Sequence, residues 1–348
     1  MTDGPAQRET GRIKRRPTQA DVARRAGVSQ AMVSLVINDA PGASISKQTQ
    51  QRIRDAMEEL GYQPNRTARS LRTRKTYTIA SVIPDITNPF YPAFERGVQD
   101  AAQQRQYDVV IYNTDGLVAR ERQVFDSILQ NRADGVVAVL FHLTARDLRP
   151  VLEDGITVVR FEPQPKQSGP LPLDNVFVDN RRAAHQAVRY LIAQGHSAIG
   201  IIIGHAGPRT ARLLGYRDAL REAGLIAPEP YVQVGNFQQS GGYAATRHLL
   251  QATPRPTAIF AENDEMALGA LSALRESHIR VPEEMAIIGF DDIPAARLVT
   301  PSLTTVSLFP RDVGRRAAEM LFERLEGSVS GDGRSEELPF ELVRRESA

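Results

Sequence analysis

Hydrophobic positions in this 348-residue chain follow two successive rhythms. Between residues 18 and 61 they recur at helical spacing. Thr18 with Asp21 reads as a capping box, and a short helix follows through Arg25. Ala26-Gly27-Val28 is a tight turn, and Ser29 reads as the N-cap of a second helix through Ile37. After a loop with Pro41 and Gly42, Ser46 caps a third helix. Its apolar residues Ile53, Ala56, Met57 and Leu60 repeat at i, i+3, i+4, i+7. Gly61 ends it, and Pro64 bars continuation.

From Tyr77 the rhythm changes. Short apolar runs at 79–83, 109–112, 136–140, 157–161, 199–203, 258–261 and 286–290 alternate with amphipathic stretches. Such alternation predicts parallel sheets covered by helices on both faces. There are too many units for one small sheet. A Pro/Gly-rich break at 163–172 divides them into two similar lobes, roughly 77–162 and 173–300. A crossing tail returns to both, with a loose loop at 327–333 and a final strand near 338–343.

Hydrophobic residues make up 41% and charged residues 24%, enough apolar content for an ordinary core. The net charge of +2 conceals an asymmetry: residues 1–76 carry +8 and the rest −6. The first 17 residues, with Arg8, Arg12, Lys14, Arg15 and Arg16, read as a disordered basic tail. A basic head on an acidic body points to nucleic acid at one end, although solvated basic tails are common. Zero cysteines exclude disulfides, thiolate metal sites and a Cys nucleophile. No apolar run approaches the roughly 18–20 residues of a membrane span, and the N-terminus lacks a signal peptide's apolar stretch. The expectation is a cytoplasmic protein without membrane contact.

Helix, Ala-Gly-Val turn and helix form a helix-turn-helix pattern, with small residues Ala23, Ala26 and Gly27 at the crossing. In the second helix Val33, Val36 and Ile37 face the core. Gln30 with Ser34, and Ala31 with Leu35, lie on the outward side, suited to the major groove. A plain three-helix scaffold has the same pattern. The basic head favours DNA.

The stretch Thr18-Gln19-Ala20-Asp21-Val22-Ala23-Arg24-Arg25-Ala26-Gly27-Val28-Ser29, with Val33-Ser34-Leu35-Val36-Ile37-Asn38, resembles the headpiece of the LacI/GalR family of bacterial transcription regulators. Gly61-Tyr62-x-Pro64-Asn65 and Ala68-x-x-Leu71 extend the match. The body continues it with Ile83-Pro84-Asp85-Ile86-Thr87-Asn88-Pro89-Phe90, Arg132-Ala133-Asp134-Gly135, Asn263-Asp264-Glu265-Met266-Ala267-Leu268-Gly269, Gly289-Phe290-Asp291-Asp292 and Leu303-Thr304-Thr305-Val306. The resemblance covers about residues 18–345.

It implies an α/β fold: a helix-turn-helix head over 18–64, a hinge helix over 65–76, and a two-lobed, periplasmic-binding-protein-like body over 77–348. By the same resemblance Gln30 and Ala31 read bases, while Ser29, Ser34 and Asn38 contact phosphate or sugar. Thr18 is counted with these DNA-contact positions. Leu35 replaces an arginine found in some members, and Met32 a small hydroxyl residue. Leu35 offers only apolar contact, for example to a thymine methyl. In the hinge, Asn65, Arg66, Ala68 and Arg69 accompany Leu71, which wedges into the central minor-groove step or else caps the linker against the core. So short a charged segment needs a second copy and DNA to hold a helix.

In two α/β lobes a ligand sits beyond the strand ends. Candidates there are Asp85, Asn88, Phe90, Tyr91, Glu162, Arg212, Phe237, Asn263 and Asp291. By resemblance Arg212, Asn263 and Asp291 contact an effector and Phe237 packs on it. Structural alternatives remain: Asp291 and Asp292 as turn caps, Asn263 as a helix N-cap, Phe90 as core. Enzyme signals are poor. Gly200-x-x-x-Gly204-x-x-Gly207 lacks the dinucleotide spacing, no nucleophile elbow is present, and the histidines show no metal spacing. Neither metal nor cofactor is expected. The resulting expectation is a dimeric repressor that reads a palindromic operator on double-stranded DNA under control of a small, sugar-like effector. A transporter's solute-binding protein shares the body but lacks a reason for the basic head. An enzyme using the cleft is the remaining alternative.

Overall fold

The computed structural model describes residues 15, 17–37, 45–63, 75–131, 133–162, 164 and 169–348. Apart from residues 15 and 17, the expected disordered tail lies outside the described residues, as do Asn38 and the hinge residues Asn65, Arg66, Ala68, Arg69 and Leu71. Two compact units divide the chain, Met1–Lys75 and Thr76–Ala348.

The first unit has three helices among its described residues: α1 Gln19–Ala26, α2 Gln30–Ile37 and α3 Lys47–Leu60. The capping box forms as the sequence predicts. The Asp21 carboxylate accepts the Thr18 amide at 2.9 Å, and the Thr18 hydroxyl accepts the Asp21 amide at 3.4 Å. Gly27 sits at φ 65°, a left-handed value that glycine adopts without a Cβ clash. The Ser46 hydroxyl accepts the Thr49 amide at 3.2 Å and starts α3. Val22, Ala23, Ala26, Val33, Ile53 and Ala56 form the buried core. Met32, Val36, Ile37, Met57 and Leu60 close it from the sides. Burying a Val or Ile side chain contributes about 1.5–3 kcal/mol, so a core this small tolerates few truncations.

The second unit carries two six-stranded sheets. The first contains β1 Thr78–Ile83, β2 Asp108–Asn113, β3 Gly135–Ala138, β4 Thr157–Glu162, β5 Leu173–Phe177 and β11 Ser335–Glu337. Its order is β11-β5-β4-β3-β1-β2, with every pair parallel. The second contains β6 Ile199–Ile203, β7 Val232–Val234, β8 Ala258–Ala261, β9 Ala286–Phe290, β10 Thr304–Ser307 and β12 Glu341–Val343. Its order is β12-β10-β9-β8-β6-β7, parallel except that β12 runs antiparallel to β10. In each sheet the chain order reverses beside the first strand, which opens a crevice at the C-terminal strand ends.

Two sequence expectations need correction. The break at 163–172 is not the lobe boundary, because β5 beyond it pairs with β4 in the first sheet. Its sequence Leu-Asp-Asn-Val-Phe does not read as an apolar strand. Asp174 is nevertheless fully buried, its charge met by Arg324 at 2.6 Å and Arg334 at 2.7 Å. The final strand near 338–343 shortens to β12, and a separate strand, β11, joins the other lobe. Crossing near residue 178, the chain enters the second lobe and returns with the helix Pro310–Leu325, which packs on the helix Phe90–Gln104. It crosses back between β11 and β12. Val82, Val98 and Ala101 are core, as their spacing predicts. Among the described residues no helix is long and apolar enough to cross a membrane.

Candidate functional site

The strand ends of the two lobes enclose a cavity of about 990 Å³. It falls within the roughly 300–1,000 Å³ typical of small-molecule sites. Phe90, Tyr91, Glu162, Arg212, Phe237, Asn263 and Asp291 all line it, as do Asp85 and Asn88.

On the first lobe the turn after β1 is built by short side chains. Asp85 accepts the Thr87 amide at 2.9 Å, and Asn88 accepts the Phe90 amide at 3.0 Å. These bonds launch the helix Phe90–Gln104 from the cavity rim. Phe90 is both core and wall: it is buried, and its ring stacks on Phe161 at 6.2 Å between centroids. The Tyr91 ring meets Phe90 edge-on at 5.2 Å. Burial, and then the nearby Asp291 charge, push the Tyr91 phenol well above its usual range, so it remains a hydrogen-bond donor. At the end of β4, Glu162 pairs with Arg160 at 3.0 Å, and Arg160 also donates to Asn175 at 2.9 and 3.1 Å.

On the second lobe Arg212, from the helix Arg209–Glu222, is the organising cation. Its guanidinium lies 3.8 Å over the Phe290 ring and donates to Asn180 at 2.7 Å and to the Glu262 carbonyl. Asp291 stands 3.8 Å away on the same lobe, an ion pair in a buried setting. Burial pushes the Asp291 carboxyl up to about 7 against the pull of Arg212, with Glu262 and Glu265 adding to the rise. Glu262 is likewise pushed up to about 7 by burial, opposed by Arg212. Asn263 holds both roles that its sequence context allows. It caps the helix Asp264–Glu276 by accepting the Met266 amide at 2.9 Å, and it donates to the Phe237 carbonyl at 2.9 Å. Phe237 is thereby held at φ 64° with its ring toward Gly204, where any side-chain carbon would fall inside the ring.

Sequence reasoning missed several wall residues, chiefly Arg160, Asn180, Phe141 and His142. Arg160 had a signal: a cation inside an apolar strand must find partners when buried. Phe141 and His142 had none, since their loop is held from a distance. The buried Glu121 carboxylate accepts the amides of Phe141, His142 and Leu143 at 2.8, 3.2 and 2.9 Å.

In the head, α2 turns Gln30 and Ala31 to solvent, and Leu35 is 41% exposed. The Ser29 hydroxyl caps α2 by accepting the Met32 amide at 3.2 Å. Thr18 is tied into its capping box, and Ser34 is half-buried. Met32 packs against the core rather than facing outward.

A small helix-turn-helix head whose second helix turns Gln30, Ala31 and Leu35 to solvent, and a separate two-lobed body with a cavity at its strand ends, define the class of ligand-responsive transcription regulators. Residues 18–65 match the profile described as bacterial regulatory proteins, lacI family, and residues 188–348 that of the periplasmic binding protein-like domain. The ribose operon repressor of Escherichia coli (strain K12) is 36% identical over 312 residues, covering 88% of this chain and 93% of the repressor. A transcriptional regulator CelR–cellobiose complex is 32% identical with a TM-score of 0.71, covering 96% of this chain and 100% of that one. A lac repressor dimer bound to operator and the anti-inducer ONPF is 25% identical with a TM-score of 0.85, covering 96% and 99%. The chain belongs to the lacI family of bacterial regulatory proteins.

Proposed function

We propose that this chain is a cytoplasmic repressor that binds a palindromic operator as a homodimer and answers to a small hydroxylated, sugar-like effector. Residues 18–64 form the DNA-binding domain, 65–76 the hinge and 77–348 the effector-binding and dimerisation body, behind a basic tail at 1–17. Gln30 and Ala31 read bases. Thr18, Ser29, Ser34 and Asn38 position the head, Leu35 offers apolar contact, and Asn65, Arg66, Ala68, Arg69 and Leu71 engage the minor groove and its phosphates.

The cavity carries this reading. Its wall carries two ion pairs, Arg160 with Glu162 and Arg212 with Asp291, between aromatic rings. That composition suits neutral hydroxyls and a ring face better than a lone charge. Binding rather than turnover is favoured because Asp291, the buried carboxylate that lines the cavity on the second lobe, faces Arg212. The similar proteins that hold cellobiose or operator DNA support the same assignment.

The test is a thermal-shift screen of the full chain against D-ribose, cellobiose and a panel of other mono- and disaccharides, followed by operator titrations. A true effector raises the melting temperature by mass action and changes operator affinity about 5- to 150-fold. Tight sugar binding with no effect on DNA affinity supports a solute-binding protein instead. Turnover of the sugar supports an enzyme.

A further inference from the structure

We infer that Arg345 is a positioning residue for the cavity: through Asp292 it holds the backbone turn that aims the Asp291 carboxylate at the ligand space. The inference rests on the effector reading of Asp291.

The turn is conformationally costly. Asp291 sits at φ 115° and Asp292 at φ 53°, two consecutive non-glycine residues on the left-handed side. Such a pair persists only where its surroundings over-determine it. Asp291 lines the cavity, whereas Asp292 does not. The Asp292 side chain, 8% exposed, pairs with Arg345 through one oxygen and with the exposed Arg297 at 3.2 Å through the other.

Arg345 is well placed to act as the fixed point. Only 11% of its side chain is exposed. Its second guanidinium nitrogen donates to the Leu303 carbonyl at 2.7 Å, and its amide donates to the Thr304 hydroxyl at 2.9 Å. The following residues are stitched into the same sheet. The Ser347 hydroxyl accepts the Thr304 amide at 2.8 Å and donates to the Ile287 carbonyl at 2.7 Å. The Ile287 amide donates to the Ser347 carbonyl at 2.8 Å. Residues 345–347 therefore bridge β9 and β10, and the turn leaves directly from the end of β9. From the other side the turn is held by the Asp291 amide on the Val306 carbonyl at 2.7 Å and the Ile293 amide on Asp264 at 2.9 Å. Nothing in those bonds fixes the Asp292 side chain. That task falls to Arg345 and Arg297, of which only Arg345 is itself anchored.

The test replaces Arg345 with Ala in the full chain and follows the Asp291 carboxyl by carbon NMR on aspartate-labelled protein, its resonance assigned with Asp291→Asn. Burial holds this group near 7, with Arg212, Glu262, Glu265 and Asp264 as its charged neighbours. If Arg345 positions the turn, its loss lets water reach Asp291, and the midpoint falls by at least one unit. Hydrogen exchange over residues 291–293 rises at least tenfold while β6 stays protected. Simple loss of a nearby cation moves the midpoint the other way, upward. An unchanged or raised midpoint with unchanged exchange overturns the inference. Arg345→Lys, which keeps the charge but offers one nitrogen where the guanidinium offers two, gives an intermediate value. If Arg345→Ala does not fold, Asp292→Asn breaks the same pair; because loss of a neighbouring anion lowers the midpoint by itself, hydrogen exchange over residues 291–293 is then the deciding readout, and unchanged exchange overturns the inference. D-ribose and cellobiose titrations of Asp291→Asn separate the two claims. A moved midpoint in Arg345→Ala, with sugar affinity indifferent to Asp291→Asn, keeps the positioning role and discards the effector role.

Discussion

The ring of Phe141, on the first lobe, lies 6.1 Å from the ring of Phe237 on the second, tilted by 42°. Phe141 also covers Gly207, where an added Cβ would stand 2.5 Å from the ring and the backbone is at φ 63°. Phe141 thus brings the two lobes into ring contact beside the cavity that it lines. Phe141→Ala removes that bridge, a contact of about 0.5–1.5 kcal/mol beyond its buried area. The lobes are then expected to sample wider separations. Small-angle scattering of the ligand-free chain should show a larger radius of gyration than wild type, and equal radii would refute the bridge.

The Arg212–Asp291 pair makes a prediction about signalling. Asp291→Ala is expected to weaken effector binding by about 1.5–3 kcal/mol, the loss of a charge-assisted hydrogen bond. Operator affinity without effector should hardly change. For an induced repressor the variant stays on DNA at effector concentrations that release wild type. For a corepressed one the operator is left poorly occupied. A residue that only shaped its turn would lower thermal stability with an unchanged dissociation constant, which calorimetry distinguishes.

On the head, Gln30 variants are expected to select different half-site bases, at about 1–3 kcal/mol per affected pair. Leu71→Ala should weaken operator binding far more than random-DNA binding, because random DNA is held mainly through phosphates. Arg69→Ala should flatten the salt dependence on any DNA. Identical selected motifs for wild type and a Gln30 variant, or equal losses on both DNAs for Leu71→Ala, count against these roles.

Glu95 supplies a pH test independent of any ligand. It lies buried beneath β1, its carboxylate accepting the Ser81 hydroxyl at 2.6 Å through one oxygen, while the other has no hydrogen-bond partner among the described residues. Burial pushes its pKa up to about 7 from 4.5, against the pull of Ser81. A raised folded pKa means the folded state binds the proton more tightly. The stability this contributes is full below about pH 4.5 and is lost as pH rises through 7. Relative to Glu95→Gln, wild type should therefore lose up to about 3 kcal/mol between those limits. Denaturant melts of the two proteins at pH 4.5, 6 and 8 measure the difference directly, and a constant gap would rule it out.

Much of this architecture was legible because burial and period coincide. The capping box at Thr18, the caps at Ser29 and Ser46, and the central strands β6, β8 and β9 follow from local chemistry that tertiary packing does not override. The cavity residues were legible where they follow a strand end, as Asn263 follows β8 and Asp291 follows β9. What escaped is non-local. β5 hides a buried aspartate whose two arginine partners lie about 150 and 160 residues away in sequence. Phe141 owes its place to Glu121, twenty residues earlier, and Arg160 owes its burial to Asn175 on the next strand. Helical or strand periodicity links neither half of such an arrangement to the other.

The short strands β11 and β12 complete different lobes although only three residues separate them. A nascent chain emerging from the ribosome therefore holds two unfinished sheets until residues 335–343 are clear, and Ser347 must follow to lock β9 to β10. Both lobes gain their last edge within one second or so of elongation, at about 5–20 residues per second. A message cut short before residue 335 therefore leaves both sheets without their last edge strand.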